Sequence, residues 1–217
     1  MRALLQPKVL ESALLASLVS AVLSYPRFCL APQRHHPIWY LEAVQFLGGT
    51  VLWAFVFAWH TRYTGRPVFA FKVEPQVFGW ATAAGLAAGA LLYLGHDAAV
   101  RKVAPLDYPA SEEQWVAMAL FHLGFVQLFL IFAPFAWLMR LSQRRSAATV
   151  MTVLFGVAVL LFRSHLGKAP PPAGLLLASV MIQLGSGFFS VFLFLRGGVL
   201  LVCWFSLLSQ SRLLLEM

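Results

Sequence analysis

Two adjacent carboxylates stand where a polar loop enters a long apolar run, in Ser111-Glu112-Glu113-Gln114. Residues of these types at this spacing have two uses. One is structural: Ser as N-cap, acids in the first turn where the helix dipole favours negative charge, and Gln at the third helical position make a capping box. The other is chemical. Amide hydrolysis needs a base that activates water, a group that orients it and donors for the oxyanion. Glu112 and Glu113 offer the first two. The order of elements brings His165 to the same membrane face; its plain alternative is a solvated loop histidine. His122 lies deeper in an apolar run, where an ionisable side chain marks a functional position or makes one interhelical hydrogen bond. It follows Glu113 by nine residues, about 900° of rotation at roughly 100° per residue, so the two face opposite sides of one helix. Leu184-Gly185-Ser186-Gly187 offers a serine, but no histidine follows His165 to activate it, and the segment reads as a small-residue packing face.

Composition sets the elements that must hold these residues. Of 217 residues, 60% are hydrophobic and 11% charged, against about 25% charged in a soluble domain. Mean hydropathy is +0.78. The apolar runs are continuous rather than alternating, which predicts transmembrane helices and not a β-barrel. The expected fold is all-α: a polytopic bundle of about seven spans, forming one membrane-embedded domain over 1–217. The spans are predicted at 9–25, 38–59, 77–95, 115–139, 148–162, 174–195 and 199–215. The third is built on Gly and Ala, which predicts close helix approach and a central place in the bundle. A loop over 96–111 leads into the glutamates, and Arg196-Gly197-Gly198 makes a tight turn between the last two spans. Glu11 and Glu42 fall near the ends of their spans, where snorkelling or a helix-start role accounts for them.

A formal charge of +8 belongs, in such a chain, to Lys and Arg near lipid headgroups. No basic stripe interleaved with aromatics stands apart from the spans, so no nucleic-acid partner is expected. Cys29 and Cys203 are far apart, with neither a disulfide framework nor zinc spacing; no metal and no cofactor is expected. The N-terminal lead and the even loops hold Arg2, Lys8, Arg62, Arg66, Lys72, Arg140, Arg144, Arg145 and Arg196. The odd loops and C-terminal end hold Arg27, Arg34, Arg101, Lys102, Arg163, Lys168 and Arg212. The margin favours a cytoplasmic N-terminus. Whichever face is cytoplasmic, Glu112, Glu113, His96, His165 and the His35-His36 pair all fall at one and the same face.

After the glutamates come Met139-Arg140-Leu141 with Arg144-Arg145, then Leu154-Phe155-Gly156-Val157-Ala158, then Phe192-Leu193-Phe194-Leu195-Arg196-Gly197-Gly198 before the last span. In this order, over about 111–210, the chain resembles the CPBP family of intramembrane glutamic endopeptidases (CAAX proteases and bacteriocin-processing enzymes), and within it a myxosortase-like branch. That family has E-E-x-x-x-R opening one helix, F-x-x-x-H on the next and H-x-x-x-N on the last. Here Ala117 stands at the arginine position. Val159 stands at the histidine position counted from Phe155, and Leu161 at the aromatic position counted back from His165. The last motif falls near Ser206 and Gln210. The resemblance implies a hydrolase cutting a membrane-inserted or C-terminal sorting segment in a bacterial inner (plasma) membrane, with the site toward the outer face. Glu112, Glu113 and His165 would be catalytic, with Ser206, Gln210 and His122 as substrate-binding or supporting residues. The partners would be a membrane-inserted protein or peptide and the lipid bilayer. The alternative is an inactive family member, or another helical membrane protein acting as a binding or transport component.

Overall fold

The computed structural model describes residues 3–30, 36–166 and 171–216; Arg2, Arg34, His35 and Lys168 of the charge and histidine tally lie outside them. Among the described residues, six helices are long and apolar enough to cross a membrane: α1 Pro7–Cys29, α2 Ile38–Thr64, α3 Pro75–Val103, α4 Glu112–Ser142, α5 Arg145–Leu166 and α6 Ala173–Leu215. The protein is an integral membrane protein of the all-α class. Helices satisfy every backbone donor and acceptor internally, as hydrocarbon requires. Proline marks several starts: Pro7 and Pro75 open α1 and α3, and Pro37 and Pro172 precede α2 and α6. There the missing N–H costs nothing. Left-handed residues close two of the helices. Gly65 (φ 70°) bonds back to Thr61, and Gln143 (φ 54°) to Met139.

α6 is 43 residues long, which would span roughly 65 Å if straight. It is not straight. Gly198 interrupts it at φ 66°, ψ −161°, and the chain reverses. The rings of Phe189 and Phe205 lie 5.1 Å apart, a separation of about 24 Å along an unbroken helix. Ser179 on the first leg and Arg212 on the second bond the adjacent residues His96 and Asp97. The turn expected at Arg196-Gly197-Gly198 is thus where the chain folds back, and counting both legs of α6 the bundle is traversed seven times. The 66–72 loop braces this turn: Val199 donates to the Val68 carbonyl at 2.9 Å.

The core sits between α4 and α6, where Leu128, Phe132, Phe135, Met139, Leu193 and Phe194 are fully buried. α1 and α2 pair through a polar seam. Ser17, Ser20 and Ser24 recur on one face of α1. Ser17 donates to the Phe46 carbonyl at 2.6 Å, Trp53 Nε1 to Ser20 at 3.0 Å and Gln45 to Ser24 at 2.6 Å.

Two expectations are corrected. The Gly/Ala-rich third span is peripheral, not central: 22% of its apolar stretch is buried, against 44% in α4 and 56% in α6. Its buried residues form a single stripe (Val77, Ala81, Gly85, Gly89), whose glycines meet the second leg of α6, and one stripe makes one close contact. Nor does the helix end before His96. It runs on through a π-helical turn at Tyr93–Asp97 and a last segment, Ala98–Val103. Asp97 can continue the helix because Arg212 neutralises it.

Candidate functional site

At the mouth of α4 the serine cap is formed, and Gln114 reaches back to the residue before it. Ser111 Oγ accepts from the Gln114 backbone N–H at 3.3 Å, and Gln114 Oε1 accepts from the Ala110 N–H at 2.9 Å. Glu112 and Glu113 are exposed in that first turn. His165 is exposed too, and its Nδ1 bonds the Leu161 carbonyl of its own helix at 2.7 Å. Among the described residues, no hydrogen bond or ion pair joins these three side chains. The expected catalytic group is therefore held as three separate local arrangements.

The expected supporting residues, in contrast, do come together. A fourth residue joins them. Gln127 Nε2 donates to His122 Nε2 at 3.0 Å and to Ser206 Oγ at 3.1 Å. Gln210, one turn along from Ser206, reaches the same hydroxyl at 3.5 Å. All four line a cavity of about 720 Å³ between α3, α4, α5 and the two legs of α6. Gln127 lies fifteen residues past Glu112, roughly 22 Å into the bundle. It sits between two π-helical turns, His122–Val126 and Leu128–Phe132. Each π turn inserts a residue into the helix and re-aims the side chains beyond it, a device common at functional sites. Gln127 is buried, and its Oε1 has no hydrogen-bond partner. A buried amide oxygen left unpaired costs about as much as a lost hydrogen bond.

Toward the surface the lining changes character. Arg212 binds Asp97 through Nε and a terminal nitrogen, at 2.6 and 3.2 Å, and Tyr108 donates to the same carboxylate at 2.9 Å. Asp97 is 1% exposed. Arg163 pairs with Asp107 at 2.5 Å, more openly, and both line the cavity where it reaches the surface. The indole of Trp115 donates to the Gln210 carbonyl at 3.0 Å, tying the start of α4 to the end of α6 beside this opening.

The depth of the cavity thus presents amides, hydroxyls and an imidazole, with the carboxylates confined to paired positions near its mouth. Such a wall binds by hydrogen bonding. Ser206 is not set up as a nucleophile, because its hydroxyl accepts from two amides and the His122 nitrogen is taken by Gln127. Among the described residues no group of three His, Cys, Asp or Glu is placed to hold a metal ion. Sequence reasoning missed Gln127, Asp97 and the pairing of Arg212. A signal was present, since each is a polar or charged residue inside an apolar run. His60 was also missed. It is fully buried beneath Phe194, ring to ring at 4.2 Å, with neither nitrogen hydrogen-bonded. Glu42 does not simply snorkel: its Oε1 is buried without a partner.

Comparison with models of known protein families, with curated proteins and with solved structures finds no match to this chain.

Proposed function

We propose that this protein is a membrane-embedded binding protein that takes a small molecule into the cavity between α3, α4, α5 and α6, and that it does not cut peptide bonds. One observation carries the reading. Gln127, His122, Ser206 and Gln210 converge on a cavity of about 720 Å³, a size suited to small-molecule sites of about 300–1,000 Å³. Polar groups inside a bilayer are costly and are kept where they serve a pathway or a ligand. In terms of the resemblance, this is a member that has kept the helical frame without the catalysis. Ala117 and Val159 stand where arginine and histidine would be needed. The excess of Lys and Arg at the N-terminal face supports a cytoplasmic N-terminus in a plasma membrane, with the cavity mouth outward.

The test is native mass spectrometry of the purified protein after exposure to vesicles made from a total membrane lipid extract. A retained adduct of defined mass is expected for the wild type and for Glu112→Gln and Glu113→Gln, and its loss is expected for Gln127→Leu and Ser206→Leu. Peptide hydrolysis at Glu112 and Glu113 predicts the reverse dependence. Loss of processing of a membrane-anchored substrate in the two glutamate variants, with no adduct in any form, would overturn the proposal.

A further inference from the structure

We infer that the cavity takes an uncharged, hydroxyl-bearing headgroup of a membrane amphiphile, with its hydrocarbon chain leaving along α3. This rests on the binding reading above and adds the ligand's chemical class.

Charge is the first argument. The deep wall carries neither a carboxylate nor a guanidinium: beside the His122 imidazole it offers Gln127, Ser206 and Gln210, with Gln183 and Ser186 on the first leg of α6. The two guanidinium groups at the cavity are already paired, Arg212 with Asp97 and Arg163 with Asp107. An anionic head would have to displace a carboxylate, leaving that carboxylate unpaired and desolvated. A cationic head finds no free carboxylate within the deep wall.

Hydrogen-bonding capacity is the second. Both donors of the Gln127 amide are spent on His122 and Ser206, and its Oε1 still lacks a donor. Ester and phosphodiester oxygens only accept. A hydroxyl donates to that oxygen and can accept from the neighbouring amides, so a polyol-like head satisfies the wall in both directions.

Shape is the third. A helix about 10 Å across with a 5.4 Å pitch would fit less than two turns into about 720 Å³, so a transmembrane segment is too large. The wall facing the polar cluster is apolar, built from Ala84, Ala87, Ala88 and Leu91 of peripheral α3. Leu91 lines the cavity and is itself 73% exposed. The apolar lining therefore continues into the lipid-facing surface, which suits an amphiphile rather than a free polyol.

Three probes separate the possibilities: 1-monooleoylglycerol, 1-oleoyl-lysophosphatidate with the same chain and an anionic head, and glycerol with no chain. Binding is followed by titration in native mass spectrometry and by thermal shift of the purified, detergent-solubilised protein. Monooleoylglycerol is expected to form a one-to-one adduct and raise the melting temperature. Gln127→Leu is expected to weaken it about tenfold, the equivalent of about 1.4 kcal/mol. Ala88→Phe, on the peripheral helix, is expected to block it by volume and keeps the test alive where Gln127→Leu does not accumulate. Lysophosphatidate binding as tightly as monooleoylglycerol, and equally sensitive to Ala88→Phe, overturns the headgroup class while leaving the binding reading intact. Glycerol binding as well as monooleoylglycerol overturns the amphiphile. Binding of no probe, or binding indifferent to both substitutions, overturns the class and the cavity reading together.

Discussion

Asp97 accepts two hydrogen bonds from Arg212 and one from Tyr108 while almost fully buried. Its removal leaves a guanidinium in a poorly solvated place, and a charge stranded in this way costs roughly 3–5 kcal/mol. Asp97→Ala is therefore expected to lower the melting temperature in detergent sharply. Adding Arg212→Met should recover much of the loss, because the stranded charge is gone; additive losses in the double variant would show that the pair does not act as one unit. The glutamate pair makes a milder demand. Ser111→Ala is expected to cost about 1 kcal/mol through the lost cap, read in the same melt, with cavity binding unchanged. The cap was legible because its partners are within four residues of one another. Gln127 was not, because its partner Ser206 is 79 residues away.

At the scale of elements, one glycine holds the last helix in two legs. Gly198 sits at a positive φ that side chains adopt only with strain of roughly 1–3 kcal/mol, and a Cβ there would run into the Val68 carbonyl oxygen. Gly198→Ala is expected to reduce the yield of folded protein or its melting temperature. Gly185→Ala, with nothing within 4 Å of the added carbon, is expected to leave both unchanged. Equal behaviour of the two variants would remove the turn from the account. The same reasoning explains α3. A Cβ at Gly85 would lie 2.9 Å from Leu208 Cβ, whereas Gly79 has open space. Small residues on one stripe fix where a helix touches. They do not say how many neighbours it has.

Seven traversals would put the two ends of the molecule on opposite membrane faces. Single cysteines at Leu5 and Leu215, both well exposed, in a protein lacking Cys29 and Cys203, are expected to react with an impermeant maleimide from opposite sides. Labelling of both from one side would contradict the reversal at Gly198. The fold-back also makes the cavity, because only a doubled α6 can place Ser186 and Ser206 on walls of one space.

The membrane class, the helical content and nearly every helix start were determined by local chemistry that the sequence states outright: long apolar runs, prolines before helices, a serine cap and a glycine pair at the turn. These depend on a few neighbouring residues or on bulk composition. The tertiary structure alone decided which polar residues meet. π-helical turns in α4 shift the register that a uniform 100° per residue assumes, and the meeting of Gln127, Ser206 and Gln210 depends on α6 doubling back beside α4. Interhelical pairing within lipid is set by fine packing rather than by a hydrophobic pattern, since every face is apolar. That is why the glutamate pair is prominent in the sequence, while the buried amide that organises the cavity becomes visible only in the folded bundle.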